Sequence, residues 1–268
     1  VKSSLIITSI AAPNPVLREC AARCREQEFD FIVIGDSKSP PGFTLEGCDF
    51  WSLERQRQLR YPLAQLLPEG HYARKNLGYL LAMERGADII IETDDDNLPL
   101  TDFWAERSVT RKGYRHSANG WLNPLRYFSD EPVWPRGFPL ELVQQTSPAL
   151  DPDSLADHYC PIQQGLIDGD PDLDAIYRLT RPLPLTFRKN LPVALGPGCW
   201  APFNSQNTTW FRETFPLLYL PSCCGFRLTD IWRSFVAQRI CHANGWDILF
   251  HSPTAVQERN PHDLLKDF

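Results

Sequence analysis

Along the first hundred residues the apolar positions follow two alternating rhythms. Residues 4–10, SLIITSI, are an almost unbroken apolar run that ends at the loop AAPNP, the pattern of a strand buried on both faces. PVLRECAARCREQE follows with apolar residues three and four apart, which predicts a helix. FDFIVIGDS is a second strand. The pattern then predicts helices from about Ser52 to Leu67 and from about Tyr72 to Arg85, leading into the strand ADIIIET, which stops at Asp94. The order β, α, β, α, α, β predicts an α/β fold with a mainly parallel, doubly wound sheet covered by helices.

In such sheets the ligand crevice lies beyond the carboxyl ends of the strands. Three polar loops fall there: residues 8–14 with Thr8 and Ser9, residues 35–38 with Asp36, and residues 94–97 with Asp94, Asp95 and Asp96. Hydroxyls, amides and carboxylates around one crevice suit a nucleotide diphosphate. Adjacent carboxylates repel one another and resist burial, so such a run at the rim of a core is stable when solvated or when a cation neutralises it. A solvated acidic turn is the common form of an isolated triplet, but the position of this one, directly after a buried strand on the ligand side of the sheet, favours the cation. Mg²⁺ or Mn²⁺ takes oxygen ligands, needs only one or two protein carboxylates, and leaves places for phosphate and water. Asp94 and Asp96 point to the same side of an extended segment. Asp96 is the expected metal ligand, with Asp94 a second ligand or a partner of ribose or metal-bound water. Asp95, pointing the other way, is the structural member of the run. Arg74 and Lys75, in HYARKN, stand where a helix dipole disfavours cations, so they either meet an anion or lie in solvent. Arg74 is the better match to a planar contact with phosphate or base.

The second half is richer in prolines, aromatics and turns such as GDPD, which predicts short strands joined by irregular segments. EPVWPRGFPLE (131–141) brings together Trp134, Arg136 and a glycine turn, and GPGCWAPFNSQNTTWF (196–211) offers Trp200, Asn204, Ser205 and Gln206. Both stretches suit sugar or nucleotide pockets, and both suit structural turns. The clearest helix is LTDIWRSFVAQRICHANG, with Thr229 as its cap, apolar spacing at Ile231, Phe235, Val236 and Ile240, and Gly245 near its end. Asp230 at its start serves either as a cap or as a general base for an acceptor hydroxyl. His251 and His262 are candidates for a late metal ligand. With neither repeat nor low-complexity linker, residues 1–268 read as one domain: about 1–100 a nucleotide-binding half and about 101–268 an acceptor-side half.

Charge and composition narrow the partners. The 27 basic and 33 acidic residues leave a net charge of −6, which fits a cation-dependent site, and no basic stripe with interleaved aromatics points to nucleic acid. The apolar runs are far shorter than the roughly 20 residues of a membrane-spanning helix. The eight cysteines lack the paired spacing of a zinc site and read mostly as small buried hydrophobes, with Cys20 and Cys24 packed beside Val16, Leu17 and Ala21. That usage favours a reducing compartment, hence the cytoplasm. The chain opens on Val1 and its single methionine is Met83, as expected of a chain cropped at its N-terminus, and a cropped eukaryotic domain would instead belong in the Golgi lumen.

The segments GDSKSP, YARKNLGYLLAMERGADIIIETDDDN, VWPRGFPLE, IQQGLIDGDPDLDAIYRLTR, APFNSQNT, RLTDIWRSFVAQRI and VQERNPHDLLKDF together resemble the STELLO-type glycosyltransferase family. They are more distantly similar to the plant reversibly glycosylated polypeptides, which act as UDP-arabinopyranose mutases. The resemblance implies a nucleotide-sugar-binding fold of the GT-A type, in which an aspartate motif presents Mn²⁺ or Mg²⁺ to the diphosphate of a UDP-sugar donor. On this chain the motif is Asp94, Asp95 and Asp96. The nucleoside would meet Thr8, Ser9 and Asp36, with Arg74 and Lys75 beside them. Asp230 takes the acceptor-side acidic position, and His262, ahead of His251, that of a closing metal ligand. The implied activity is transfer of the sugar to a glycan or other hydroxyl. A UDP-sugar mutase and a non-catalytic scaffold of glycan synthesis are the alternatives. Arg136 does not fall where the plant mutases carry their glycosylated arginine, and the anchor and extra regions of the eukaryotic STELLO proteins have no counterpart in these segments.

Overall fold

The computed structural model describes residues 1–258 of the 268-residue chain. Its first hundred residues build β1 (Ser3–Thr8), α1 (Pro15–Glu26), β2 (Asp30–Ile34), β3 (Asp49–Trp51), α2 (Leu53–Arg57), α3 (Pro62–Leu66), α4 (Lys75–Glu84) and β4 (Ile89–Thr93). The strands lie in the order β3-β2-β1-β4, all parallel. Successive side chains on β1 point to opposite faces: Ile6 joins Ile32, Ile34, Leu77 and Ile90 on the α4 side, while Leu5 and Ile7 join Leu17, Phe31, Val33 and Ile91 on the α1 side. Each such buried aliphatic side chain contributes about 1.5–3 kcal/mol of transfer free energy. Helix α4 lies close against the sheet because position 78 is glycine; a Cβ there would meet Ile6 Cγ2 at 2.6 Å. Cys20 and Cys24 are buried on the inner face of α1, as the spacing predicts.

The helix predicted over 52–67 is two short helices. Pro62 has no N–H to donate and holds Tyr61 extended (φ −72°, ψ 125°), so α2 stops and α3 restarts with the proline in its first turn. The helix predicted from Tyr72 begins instead with a 3₁₀ turn over Tyr72–Arg74 and becomes α-helical at Lys75.

The remainder supplies β5 (Asn97–Pro99), β6 (Thr110–His116), β7 (Gly120–Trp121), β8 (Ala156–Tyr159), β9 (Ile162–Gly169), α5 (Ala175–Thr180), β10 (Val193–Leu195), β11 (Cys199–Trp200), β12 (Asn207–Phe211), α6 (Thr229–Asn244) and β13 (Ile248–Gln257). Strand β12 lies antiparallel to both β4 and β9, and β13 is parallel to β9 but antiparallel to β10 and β5. One continuous, mixed sheet flanked by helices therefore runs through both halves, parallel throughout the first. Helix α6 ends at Gly245, whose φ of 69° is a left-handed conformation that glycine adopts without a Cβ clash. Its buried face keeps Ile231 but otherwise differs from the expected one: Val236 and Ile240 are exposed, as is Trp232, whereas Arg233, Ser234, Ala237, Gln238 and Cys241 are buried. Polar partners waiting in the core, Glu92 above all, decided the rotation of the helix. Among the described residues no helix is long and apolar enough to cross a membrane.

Candidate functional site

The three loops expected at the carboxyl ends of β1, β2 and β4 do meet. The Ser9 N–H donates to the Ile34 carbonyl at 3.0 Å, the Ser39 hydroxyl donates to the Ser9 carbonyl at 2.9 Å, the Ser9 hydroxyl bonds the Asp95 carboxylate, and the Asn14 side chain donates to the Asp95 carbonyl at 2.7 Å. They border a cavity of about 620 Å³, whose lining includes Thr8, Ser9, Asp36, Lys38, Tyr72 and the three aspartates. Its other wall comes from the second half of the chain, with Arg136, Asp172, Ser205, Gln206, Phe226, Arg227, Asp230 and Gln257. Six aspartates line this space against four lysines and arginines, so it is acidic before any ligand enters.

Each aspartate of the run has a different setting. Asp94 accepts from the Tyr72 hydroxyl at 2.7 Å and from the Lys75 ammonium at 3.3 Å. Burial, with the Asp94 charge adding to it, pushes the Asp95 pKa up against the opposing Ser9 hydrogen bond. Asp96 accepts from the Gln257 amide at 2.9 Å; that amide's oxygen accepts from Gln206, whose own oxygen takes the Asp172 N–H. A chain of amides thus ties the aspartate loop to the opposite wall. Asp94 and Asp96 are half-buried residues on the cavity, and the Asp94 side chain keeps about a quarter of its surface (24%) exposed. No three His, Cys, Asp or Glu side chains among the described residues converge to hold a metal. A cation here would take one or two protein carboxylates and fill its remaining positions from diphosphate and water, the habit of Mg²⁺ and Mn²⁺.

Asp36 lines the cavity, but its carboxylate already accepts the N–H groups of Ser37, Gly70 and His71 at 2.6, 2.7 and 3.0 Å. It holds the loop preceding α4 in place. Arg74, expected to face an anion, turns its guanidinium into the scaffold, toward Gln56 Oε1 at 2.8 Å and the Leu67 carbonyl at 3.0 Å. That satisfies the buried carbonyl left at the end of α3. Lys75 is fully buried and donates to the Thr93 carbonyl at 2.8 Å and to the Tyr72 hydroxyl at 2.7 Å. Neither cation lies in solvent, and Lys75 brings its positive charge to the aspartates from beneath.

On the opposite wall Arg136 bridges two acids, with Nε 2.9 Å from Asp172 Oδ1 and Nη2 3.0 Å from Asp230 Oδ2. Burial opposes its charge, yet the two carboxylates outweigh burial and push its pKa further up. Asp230 is 5 % exposed, and its Oδ2 also lies 3.4 Å from the Ser205 hydroxyl.

Trp134, Trp200 and Asn204 do not line this cavity. Trp134 is a core residue stacked edge-on against Tyr177 at 4.9 Å, and Trp200 packs against His242 at 4.7 Å. The Asn204 side chain closes its own turn by accepting the Gln206 N–H at 3.1 Å. His251 is not among the cavity residues; burial drives its pKa down to about 4, and its Nδ1 lies 2.9 Å from the Ser252 carbonyl. His262 lies outside the described residues. Sequence reasoning missed Tyr72, Asp172, Phe226 and Gln257. Gln257 ends the long strand β13 and Asp172 follows β9, so both reach the cavity through strand pairings between distant segments.

Comparison with known proteins supports the resemblance read from the seven segments. Residues 227–268 match the family model described as STELLO glycosyltransferases. The chain is 30% identical over 245 residues to "Probable glycosyltransferase STELLO2" and 30% identical over 246 residues to "Probable glycosyltransferase STELLO1", both from Arabidopsis thaliana. These matches cover 84% and 85% of this chain and 32% of each relative, so the chain spans about a third of the length of the curated relatives it matches. The chain is a homologue of the STELLO glycosyltransferases over most of its own length.

Proposed function

We propose that this chain is a metal-dependent glycosyltransferase domain that takes a nucleotide-sugar donor, UDP-linked, and transfers the sugar to a hydroxyl of a glycan or similar acceptor. The observation that carries this reading is one acidic cavity shared by the Asp94–Asp96 loop at the strand ends and by the Arg136-bound Asp230 of the other wall. Thr8 and Ser9 would border the nucleoside. Asp94 and Asp96 would hold Mn²⁺ or Mg²⁺, which when bound supplies positive charge to the departing diphosphate. Lys75 and the Tyr72 hydroxyl hold the Asp94 carboxylate at the edge of the cavity. Asp230, held by Arg136, stands on the acceptor side as the group that takes the hydroxyl proton. Arg136 itself is a poor candidate for a sugar-carrying nucleophile, because two carboxylates hold it as a guanidinium; this favours transfer over the self-glycosylating chemistry of a mutase.

Calorimetric titration with UDP, GDP and CDP, with and without Mn²⁺, tests the donor site. Mn²⁺-dependent UDP binding that disappears in both Asp94→Ala and Asp96→Ala is the expected result; binding unaffected by either substitution would remove the basis of the proposal. Incubation with UDP-sugars then separates the activities, since transfer requires an added acceptor and mutase activity does not.

A further inference from the structure

The Tyr72 and Ser205 hydroxyls form a bridge across the cavity between the two carboxylates assigned to opposite sides of the reaction. Tyr72 Oη is 2.7 Å from Asp94 Oδ1, 2.7 Å from Ser205 Oγ and 2.7 Å from Lys75 Nζ, and Ser205 Oγ is in turn 3.4 Å from Asp230 Oδ2. Ser205 is 2 % exposed and Lys75 fully buried. Three sequence-distant segments, the 3₁₀ turn before α4, the loop before β12 and the start of α6, thereby meet through two oxygen atoms.

Counting protons gives this bridge a direction. Lys75 can only donate, and each hydroxyl has one proton. In one arrangement Tyr72 donates to Asp94 and Ser205 donates to Tyr72. In the other, Tyr72 donates to Ser205, Ser205 donates to Asp230, and Asp94 retains Lys75 as its donor. Both arrangements satisfy both hydroxyls without net gain or loss of a proton. Burial and the Asp94 charge push the Tyr72 pKa well above its ordinary value, so the phenol keeps its proton in both.

Resting on the proposed function, we propose that Tyr72 and Ser205 are positioning residues that couple donor loading at Asp94 to the orientation of Asp230. When a lone pair of Asp94 is committed to a donor-bound cation, that oxygen is a weaker acceptor for Tyr72. The Tyr72 proton then turns to Ser205, whose own proton turns to Asp230. Asp230 gains a third fixed donor beside Arg136 and the Ile231 N–H, and its orientation is set when the donor is in place. The second arrangement also frees Asp94 for the donor, so the coupling runs in both directions. The bridge is hydrogen-bond reorientation alone and breaks no covalent bond.

A double-mutant cycle read in the affinity for Mn²⁺ and UDP, rather than in turnover, tests the coupling. Asp230→Asn places an amide N–H toward Ser205, which favours the first arrangement and should weaken binding in two parts: the lost cavity charge and the reversed bridge. Tyr72→Phe keeps the ring that stacks at 5.8 Å on Phe226 but removes the hydroxyl, so only the charge part should survive in that background. The Asp230→Asn penalty is expected to be about threefold to tenfold larger in the wild-type chain than in Tyr72→Phe, the scale of modest site-to-site coupling. Ser205→Ala, a smaller change, should reduce the penalty by the same factor, and thermal unfolding of each variant shows whether it is folded. Equal penalties in all three backgrounds would overturn the coupling while leaving the donor site standing. A reduction in Tyr72→Phe but not in Ser205→Ala would overturn the bridge as its path. A folded wild-type chain that binds no Mn²⁺ and UDP would overturn the proposed function and the coupling with it.

Discussion

Glu92, inside β4, and Asp94, just past its end, stand two residues apart and carry the same chemical group in opposite settings. Glu92 is fully buried and saturated: Arg233 Nη2 donates at 2.7 Å, Trp210 Nε1 at 2.8 Å, and the Tyr79 hydroxyl completes the set. Burial alone would raise its pKa, but Arg233 and Lys75 outweigh burial and hold it below the ordinary glutamate value. Asp94 shares Lys75 and a tyrosine hydroxyl but keeps a face on the cavity. The difference lies in who supplies the positive charge. In the core the chain brings its own arginine, from a residue 141 positions away; at the rim it brings less charge than the aspartates carry. A carboxylate neutralised from within contributes to folding, whereas acids left in partial excess beside a cavity are suited to a cation that arrives with a ligand.

The strongest way to break this contrast is Arg233→Ala, which leaves Glu92 buried without its counter-ion. A loss of about 3–5 kcal/mol in urea-derived unfolding free energy is expected. The corresponding change at the rim, Asp94→Ala, should weaken Mn²⁺-dependent UDP binding at least about tenfold, roughly 1.4 kcal/mol by calorimetry, at a smaller unfolding cost than Arg233→Ala. Acidification should separate the two sites by sign. Because the folded-state pKa of Glu92 is depressed, its stabilisation is complete above the unfolded value of about 4.3 and is lost as pH falls through the folded value. Urea midpoints measured on descending pH should therefore fall in that window. Asp95 works in reverse: its raised pKa means the folded state binds its proton more readily, so charged Asp95 weakens the fold as pH rises. Asp95→Asn, which keeps an oxygen for Ser9, should be slightly more stable than wild type at pH 7. That small advantage should vanish toward about pH 2.5, more than a unit below the unfolded aspartate value, where both side chains are neutral in either state, and urea titrations at the two pH values check it.

Much of the wall at the strand ends was legible because it depends on local pattern. Apolar runs marked β1, β2 and β4, and parallel order placed their carboxyl ends on one edge, so Ser9, Asp36 and the aspartates could be expected at one cavity. The roles of individual side chains were less legible. Arg74 reads as an anion ligand until the end of α3 is seen to leave a carbonyl beneath it. Trp134 reads as a pocket aromatic until Tyr177 is seen to cover it. Along α6 the apolar period was correct, but its phase was set by Glu92, a partner the sequence does not place.

The sequence by itself determined the strands β1, β2 and β4 of the first half, the acidic rim at the end of β4 and the family likeness, because hydrophobic periodicity and short motifs act over a few residues. Only the tertiary structure decided that Asp36 and Arg74 hold loops, that Lys75 reaches Asp94 from below, and that Tyr72, Ser205 and Asp230 form one bridge. Those arrangements depend on which donor meets which acceptor across separations as different as 7 residues, between Arg74 and Leu67, and 133, between Tyr72 and Ser205. Every buried polar group seeks a partner, and the folded geometry selects the one it finds.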